Sequence, residues 1–545
     1  MRHVVILLAS LLSFASAGAQ HHPAPAAPAA KAALMPGLGN LHHPIATAVP
    51  DAQEFFDQGL TLIFGFNHDA AIAMFQRAAE LDPNAAMPQW GIALALGANY
   101  NDPGNQDRFA RAYQALQKAQ ALAAKGPEHE RAYVAALSRR YAADPKSDRK
   151  KLDSDYEQAM AELVRKYPDD LDAATLYAES LMNLRPWQLW APDGAPAPGT
   201  ERIVATLEGV LKHDPNHPGA NHYYIHAVEA SANPSRALAS AQRLESLVPA
   251  AGHLVHMPFH IYFQTGFYDA AARVNVAGAD ADESYVRASG DQGIYRYMYL
   301  SHNYHCLAMS SSMAGNFAQT QKAVESLVAN VAPAAKAMPM AASFQPVRDY
   351  MYLRFNRWDD ILKLPAPDPS TPPADSFWHF ARAIAFAAKG RMSDAEKESA
   401  AYSTDRKKVA PDFNFGLNNQ KTVYEIADAV LAARLATARG DRKAAITSWR
   451  KAVAIQDILS YGEPPDWYYP TRESLGAALL AEGQPAEAEA VFRVDLEKNP
   501  RNGRSLFGLW QSLLAQKKPT DAAMVQRQFD AAWKSADVSL RLEDF

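Results

Sequence analysis

Seven histidines in the middle third of the chain, His222, His226, His253, His256, His260, His302 and His305, are the residues whose type and spacing bear most directly on chemistry. His222 and His226 stand four apart, so a helix puts both rings on one face, and Glu229 follows three residues later on that face. The steps from His222 to His256 and from His226 to His260 are each 34 residues, so one pair is repeated at a fixed period. His302 and His305, three apart, form a third set after a connection containing Asp280, Asp282 and Glu283. Neutral imidazoles suit zinc, copper or iron, whereas calcium and magnesium prefer oxygen ligands. The expectation is a transition-metal centre of one or two ions held by these seven rings, with Glu229 as ligand or catalytic base. Crowding the rings without a cation would leave many nitrogens needing partners.

Such a centre requires neighbouring helices in fixed register. The period of 34 is that of stacked helix pairs, with small residues where helices cross, an aromatic between them and a proline closing the second helix. Gly59, Ala71, Phe75, Ala78 and Pro83 occupy those places near the start, and Gly476, Ala488, Phe492 and Pro500 near the end. Asp495 departs from the pattern where a small residue is usual. Between these segments, turn signals such as Gly266-Phe267-Tyr268, Gly315-Asn316-Phe317 and Gly440-Asp441 separate helix-length apolar patterns. Stretches around Asn101 to Asn105, Trp190 to Thr200 and Pro365 to Pro373 read as loops, and strands should be nearly absent.

These residues resemble tetratricopeptide repeats, which implies an all-α, helix-pair solenoid wound as a right-handed superhelix. Segments such as FNHDAAIAMFQRAAELDPN, HYYIHAVEAS, GHLVHMPFHIY and EPPDWYYPTRESLGAALL are similar to a group of exported, periplasmic bacterial tetratricopeptide proteins with no established activity. Numbered from each repeat's own turn, His222, His256 and His305 take place five, His226 and His260 place nine, His253 and His302 place two, and Glu229 place twelve. In such repeats these places resemble those on the first helix that line the concave groove.

The first twenty residues have the pattern of a cleaved secretory signal: Arg2, an apolar run from Val4 to Phe14, then small residues permitting cleavage after Ala17 or Ala19. A signal at 1–19, a Pro/Ala-rich tether at 20–50, and repeats at 51–215, 216–345 and 346–545 are expected, in a periplasmic or secreted protein. The charge of −5 is dispersed without a basic stripe, which argues against nucleic acid, and no later stretch suits a membrane span. A single cysteine, Cys306, excludes an intrachain disulfide framework and leaves open an intermolecular bridge or a weak metal ligand.

Lesser candidates are Glu463, Asp466, Trp467 and Tyr468 in a Pro-rigid loop that could cap the groove, and Glu473 in the next helix. Asn303, Tyr223, Tyr224 and Tyr262 stand where partners orienting imidazoles would be needed. His68 reads as packing between helices, His21 and His22 as tether residues able to bind copper or nickel at a new amino terminus, and His42 and His43 carry no signal. Two functional readings follow. One is a metalloenzyme, hydrolytic with zinc or oxidative with copper or iron, acting on a small molecule or peptide in the groove. The other is a peptide- or protein-binding scaffold with structural metal or none.

Overall fold

The computed structural model describes residues 32–191 and 194–545. The signal at 1–19, the start of the tether, His21 and His22 lie outside the described residues. The rest is a solenoid of antiparallel helix pairs, and the only paired strands among the described residues are the two-residue Asn414–Phe415 and Asn418–Asn419. The repeat signals have direct packing meaning. A Cβ on Gly59 would stand 2.6 Å from the Phe75 ring, and so would one on Gly91. Phe75 therefore fills a slot that glycine opens on both neighbouring helices. Phe492 does the same between Gly476 and Gly508. Asp495, the departure from the pattern, accepts from Asn502 Nδ2 at 2.8 Å and Ser505 Oγ at 2.5 Å, replacing an apolar crossing with a buried polar one.

Both ends of the solenoid return to its middle. At the amino-terminal side, the turn after helix Pro50–Phe64 packs on helix Pro218–Val228, where Phe64 lies against Gly219 so closely that a Cβ there would be 2.5 Å away. At the carboxy-terminal side, Arg501 lies over the Phe267 ring at 3.9 Å. There Asp537 also accepts from the backbone N–H groups of Phe317 and Ala318, capping helix Phe317–Val331. The expected concave groove is therefore closed at the histidine repeats, because successive turns of the superhelix stack on that wall instead of leaving it to solvent.

Residues 32–49, expected as part of a free tether, are extended but pinned along the solenoid. Gln58 brackets Met35 through its backbone N–H and C=O, and His43 Nδ1 lies 2.8 Å from Asp172 Oδ2. No helix among the described residues is long and apolar enough to cross a membrane.

Candidate metal centre

Three helical segments carry the histidines. Helix Pro218–Val228 starts with Pro218 at its first turn and the His217 ring accepting from Ala220 N–H, which fixes the phase of His222 and His226. The next segment is split into Gly252–His256 and Pro258–Gln264, since Pro258 has no N–H to continue the ladder. The third, Ser301–Met313, is entered from a π-helical turn at Tyr295–Leu300.

Six of the seven rings form a continuous row. Ring centroids are 4.9 Å apart for His222 and His226, 5.1 Å for His226 and His260, 4.9 Å for His256 and His260, and 4.8 Å for His256 and His302. His253 lies 4.9 Å from His222 and 5.7 Å from His256. Two groups have ligand atoms all within 4.8 Å of one another, His222, His226 and His253, and next to them His256, His260, His302 and Glu463; a third set meeting the same limit, His226, Glu229 and His260, links them. The first five rings are 0–2% exposed, so this is an interior site. His305 joins neither group. Three residues beyond His302, it turns toward the edge of Phe344 at 5.8 Å. Burial and the neighbouring His302 push its pKa down to about 3, which keeps it neutral.

Hydrogen bonds decide which nitrogen of each ring is free. His222 Nδ1 is 2.5 Å from the Phe64 carbonyl oxygen, which can only accept, so Nδ1 carries the proton and Nε2 a bare lone pair. His226 Nδ1 donates to Glu229 Oε1 and His260 Nδ1 to Glu229 Oε2, each at 2.7 Å. His256 Nδ1 donates to Asn275 Oδ1 at 2.6 Å, since Asn275 Nδ2 is spent on the Ala271 carbonyl. The Nε2 atoms of His222 and His226 and both nitrogens of His253 are buried without partners. His256 Nε2 and His260 Nε2 face each other at 3.0 Å. Two nitrogens bound to one ion at about 2.0–2.1 Å stand about 2.9–3.4 Å apart, so this separation suits a shared cation. Anchoring one ring nitrogen so that the other is free is how proteins orient metal-ligating histidines.

Electrostatics agree with a row of neutral donors interrupted by one charge. Burial and the other rings hold His222, His253 and His256 well below the usual imidazole range. Burial also opposes charge on His260, but the carboxylates of Glu463 and Glu229 outweigh it and raise this ring to about 10. A proton thus sits where the two Nε2 atoms converge. Burial works against ionisation of Glu229, yet His260 and His226 prevail and hold it below the usual range.

Glu229 spends its two oxygens on His226, His260 and the Tyr461 hydroxyl, which donates to Oε2 at 2.7 Å. Expected as ligand or catalytic base, it ties the two groups together through these bonds, and with His226 and His260 it offers ligand atoms within 4.8 Å of one another. Glu463, expected only as a groove cap, is the added ligand candidate. Its Oε2 lies 2.7 Å from His260 Nδ1 and 3.4 Å from His302 Nε2. Trp467 and Tyr468 from the same loop are buried, Tyr468 stacked on Tyr350 at 4.6 Å. Cys306 Sγ is 3.5 Å from His302 Nε2, and burial keeps its thiol protonated.

Of Asn303, Tyr223, Tyr224 and Tyr262, half of them expected to be core, none bonds an imidazole to orient it. Asn303 donates to Asp282 at 2.5 Å, Tyr224 and Tyr262 bond Glu208 and Glu245, and Tyr223 packs on Phe66. Asn275, Tyr461 and the Phe64 carbonyl take that place, and no spacing rule points to them. Glu473 faces no groove, because it is paired with Arg354 at 3.1 Å with both side chains 1% exposed. His68 packs as expected, with Nδ1 against the Ala95 carbonyl at 2.9 Å.

The fold is similar to solved helical-repeat proteins. The human IFIT1 dimer with m7Gppp-AAAA aligns over 90% of this chain and 91% of that chain, at 12% identity and a TM-score of 0.34. Yeast Tom70 aligns over 91% and 86% at 11% identity and 0.28, and Naa15/Naa10 bound to HypK-THB over 89% and 90% at 12% and 0.24. All three are tetratricopeptide-type helical-repeat proteins. Superposition at this level places no individual residue. No family model and no curated protein sequence matches the chain.

Proposed function

We propose that this chain is an exported helical-repeat metalloprotein with two adjoining transition-metal positions enclosed by its superhelix. His222, His226 and His253 hold one ion, and His256, His260, His302 and Glu463 hold the other. The observation that carries this reading is that anchoring Nδ1 of His222 and His226 leaves their Nε2 lone pairs, together with the nitrogens of His253, buried in the interior without partners. An interior without a cation would have to absorb those lone pairs at a cost of about 1–3 kcal/mol each. Zinc, copper and iron all suit the donor set. Bound there, zinc would supply activated water for hydrolysis, and copper or iron would supply oxidation. The chain's own part is to fix the rings through Glu229, Asn275 and Phe64, to exclude bulk water, and to admit a small molecule from the side of Glu463 and His302.

Metal analysis of the full chain, produced without affinity histidines and reconstituted in turn with zinc, copper(II) and iron(II), tests this. We expect between about one and two equivalents of one metal, reduced in His226→Ala and again in His260→Ala. Less than about 0.2 equivalents of every metal would remove the proposal.

A further inference from the structure

We infer that the cavity beside the second histidine group is a binding site for a neutral aromatic molecule carrying a hydroxyl, that is, a phenol. This deepens the metal reading, on which any reaction at the site rests. Binding in the cavity does not depend on it.

The cavity measures about 540 Å³, within the range of small-molecule sites. His253, His302, His305 and Glu463 form one side of it. Trp187, Met340, Phe344, Phe413, Phe415 and Tyr468 also line it and offer flat ring faces and one adaptable thioether. The lining contains no lysine or arginine, and its only ionisable groups besides the histidines and tyrosines are Glu463, Asp412 and Asp466. A carboxylate or phosphate would meet no lysine or arginine there and would lie near acidic groups, so in the absence of bound metal anions are disfavoured. Asp466 is itself tied into the wall. It accepts from Asn418 Nδ2 at 2.7 Å, and Gly416, at positive φ, comes so close that a Cβ there would lie 2.1 Å from its carboxylate.

A purely apolar ligand would leave wall groups unsatisfied, among them the Tyr350 hydroxyl and the Asn101 side chain. Asn101 lines the cavity, and its Oδ1 is buried without a donor. A hydroxyl on an aromatic ring supplies that donor while the ring meets the aromatic wall.

Equilibrium dialysis of the full-length protein, before metal is added, against 2-naphthol and 2-naphthoate tests the inference, since the two probes have similar ring systems and differ in charge. The expected result is 2-naphthol bound at least about tenfold more tightly than 2-naphthoate. Val347→Trp, which fills the cavity from its wall, should weaken 2-naphthol at least about tenfold while metal content stays at the wild-type level. Ser343→Trp repeats the test from the neighbouring helix should the first variant fail to fold. Equal binding of the two probes overturns the inference without recourse to any variant, as does 2-naphthol binding that a folded tryptophan variant leaves unchanged. Protein that takes up no metal on reconstitution yet binds 2-naphthol with this pattern would sink the metal reading and leave the phenol site standing. Metal retained with no 2-naphthol binding would do the reverse.

Discussion

Glu229 shows how one buried carboxylate can organise two groups of histidines. Its oxygens receive Nδ1–H from His226 in one group and from His260 in the other, and Tyr461 closes the second oxygen. Glu229→Gln replaces an anion by an amide that cannot accept from all three donors, so both rings lose their fixed direction. Metal affinity should fall by about 10–100-fold, measured by competition with a chromophoric chelator, while the fold persists. Unchanged affinity would mean the rings are held by packing alone. The histidine spacings were legible because a helix repeats every 3.6 residues and the array every 34. The anchoring partners were not. Tyr461 lies 232 residues from Glu229 in the chain, and a backbone carbonyl such as Phe64's has no signature in a sequence.

Helix ends and breaks place these residues. Pro258 separates His253 and His256 from His260, and the split segment still brings the His256 and His260 rings to 4.9 Å. The extended run at 32–49 is held by a different device, the buried set of His43, Asp172 and His217. Burial resists ionisation of Asp172, but His217 and His43 outweigh it and hold the carboxyl below the usual range, while Asp172 outweighs the effect of burial on His43 and raises that ring. The depressed Asp172 stabilises docking above about pH 4 and loses that effect as acid protonates it. The raised His43 stabilises docking below about pH 6.5 and loses its part as pH rises through its folded value. Amide exchange at residues 43–47 should therefore be slowest, after correction for intrinsic rate, between those limits. In Asp172→Asn it should be fast and flat with pH, and a flat wild-type profile would contradict the assignment. Sequence gave no hint of this set, because Pro- and Ala-rich composition reports chain stiffness and says nothing of what the chain lies against.

The superhelix as a whole supplies what no single repeat contains. Phe64 comes from its amino-terminal turn, the histidines from its middle, and Tyr461 and Glu463 from its carboxy-terminal turn. The helix-pair architecture was legible at both ends from Gly59 with Phe75 and Gly476 with Phe492, since these are contacts within a repeat. Closure over the histidines was not, because it depends on small rotations summed over many repeats. Ions shared by the middle and the last turn should tie the two together. Removing metal with a chelator should lower the melting temperature and increase exchange in residues 461–469 together with 253–260. The same treatment should leave helix Arg442–Gln456 unaffected. Exchange that rises uniformly, or nowhere, would show that closure is independent of the site.

An anomalous-difference map from crystals of the reconstituted protein, recorded at the absorption edge of the bound metal, tests the central claim most directly. The account predicts one peak among His222, His226 and His253 and one among His256, His260, His302 and Glu463, each approached by the bare Nε2 of its anchored rings. A map with no peak at either place, or with metal only on surface histidines such as His42, would contradict it.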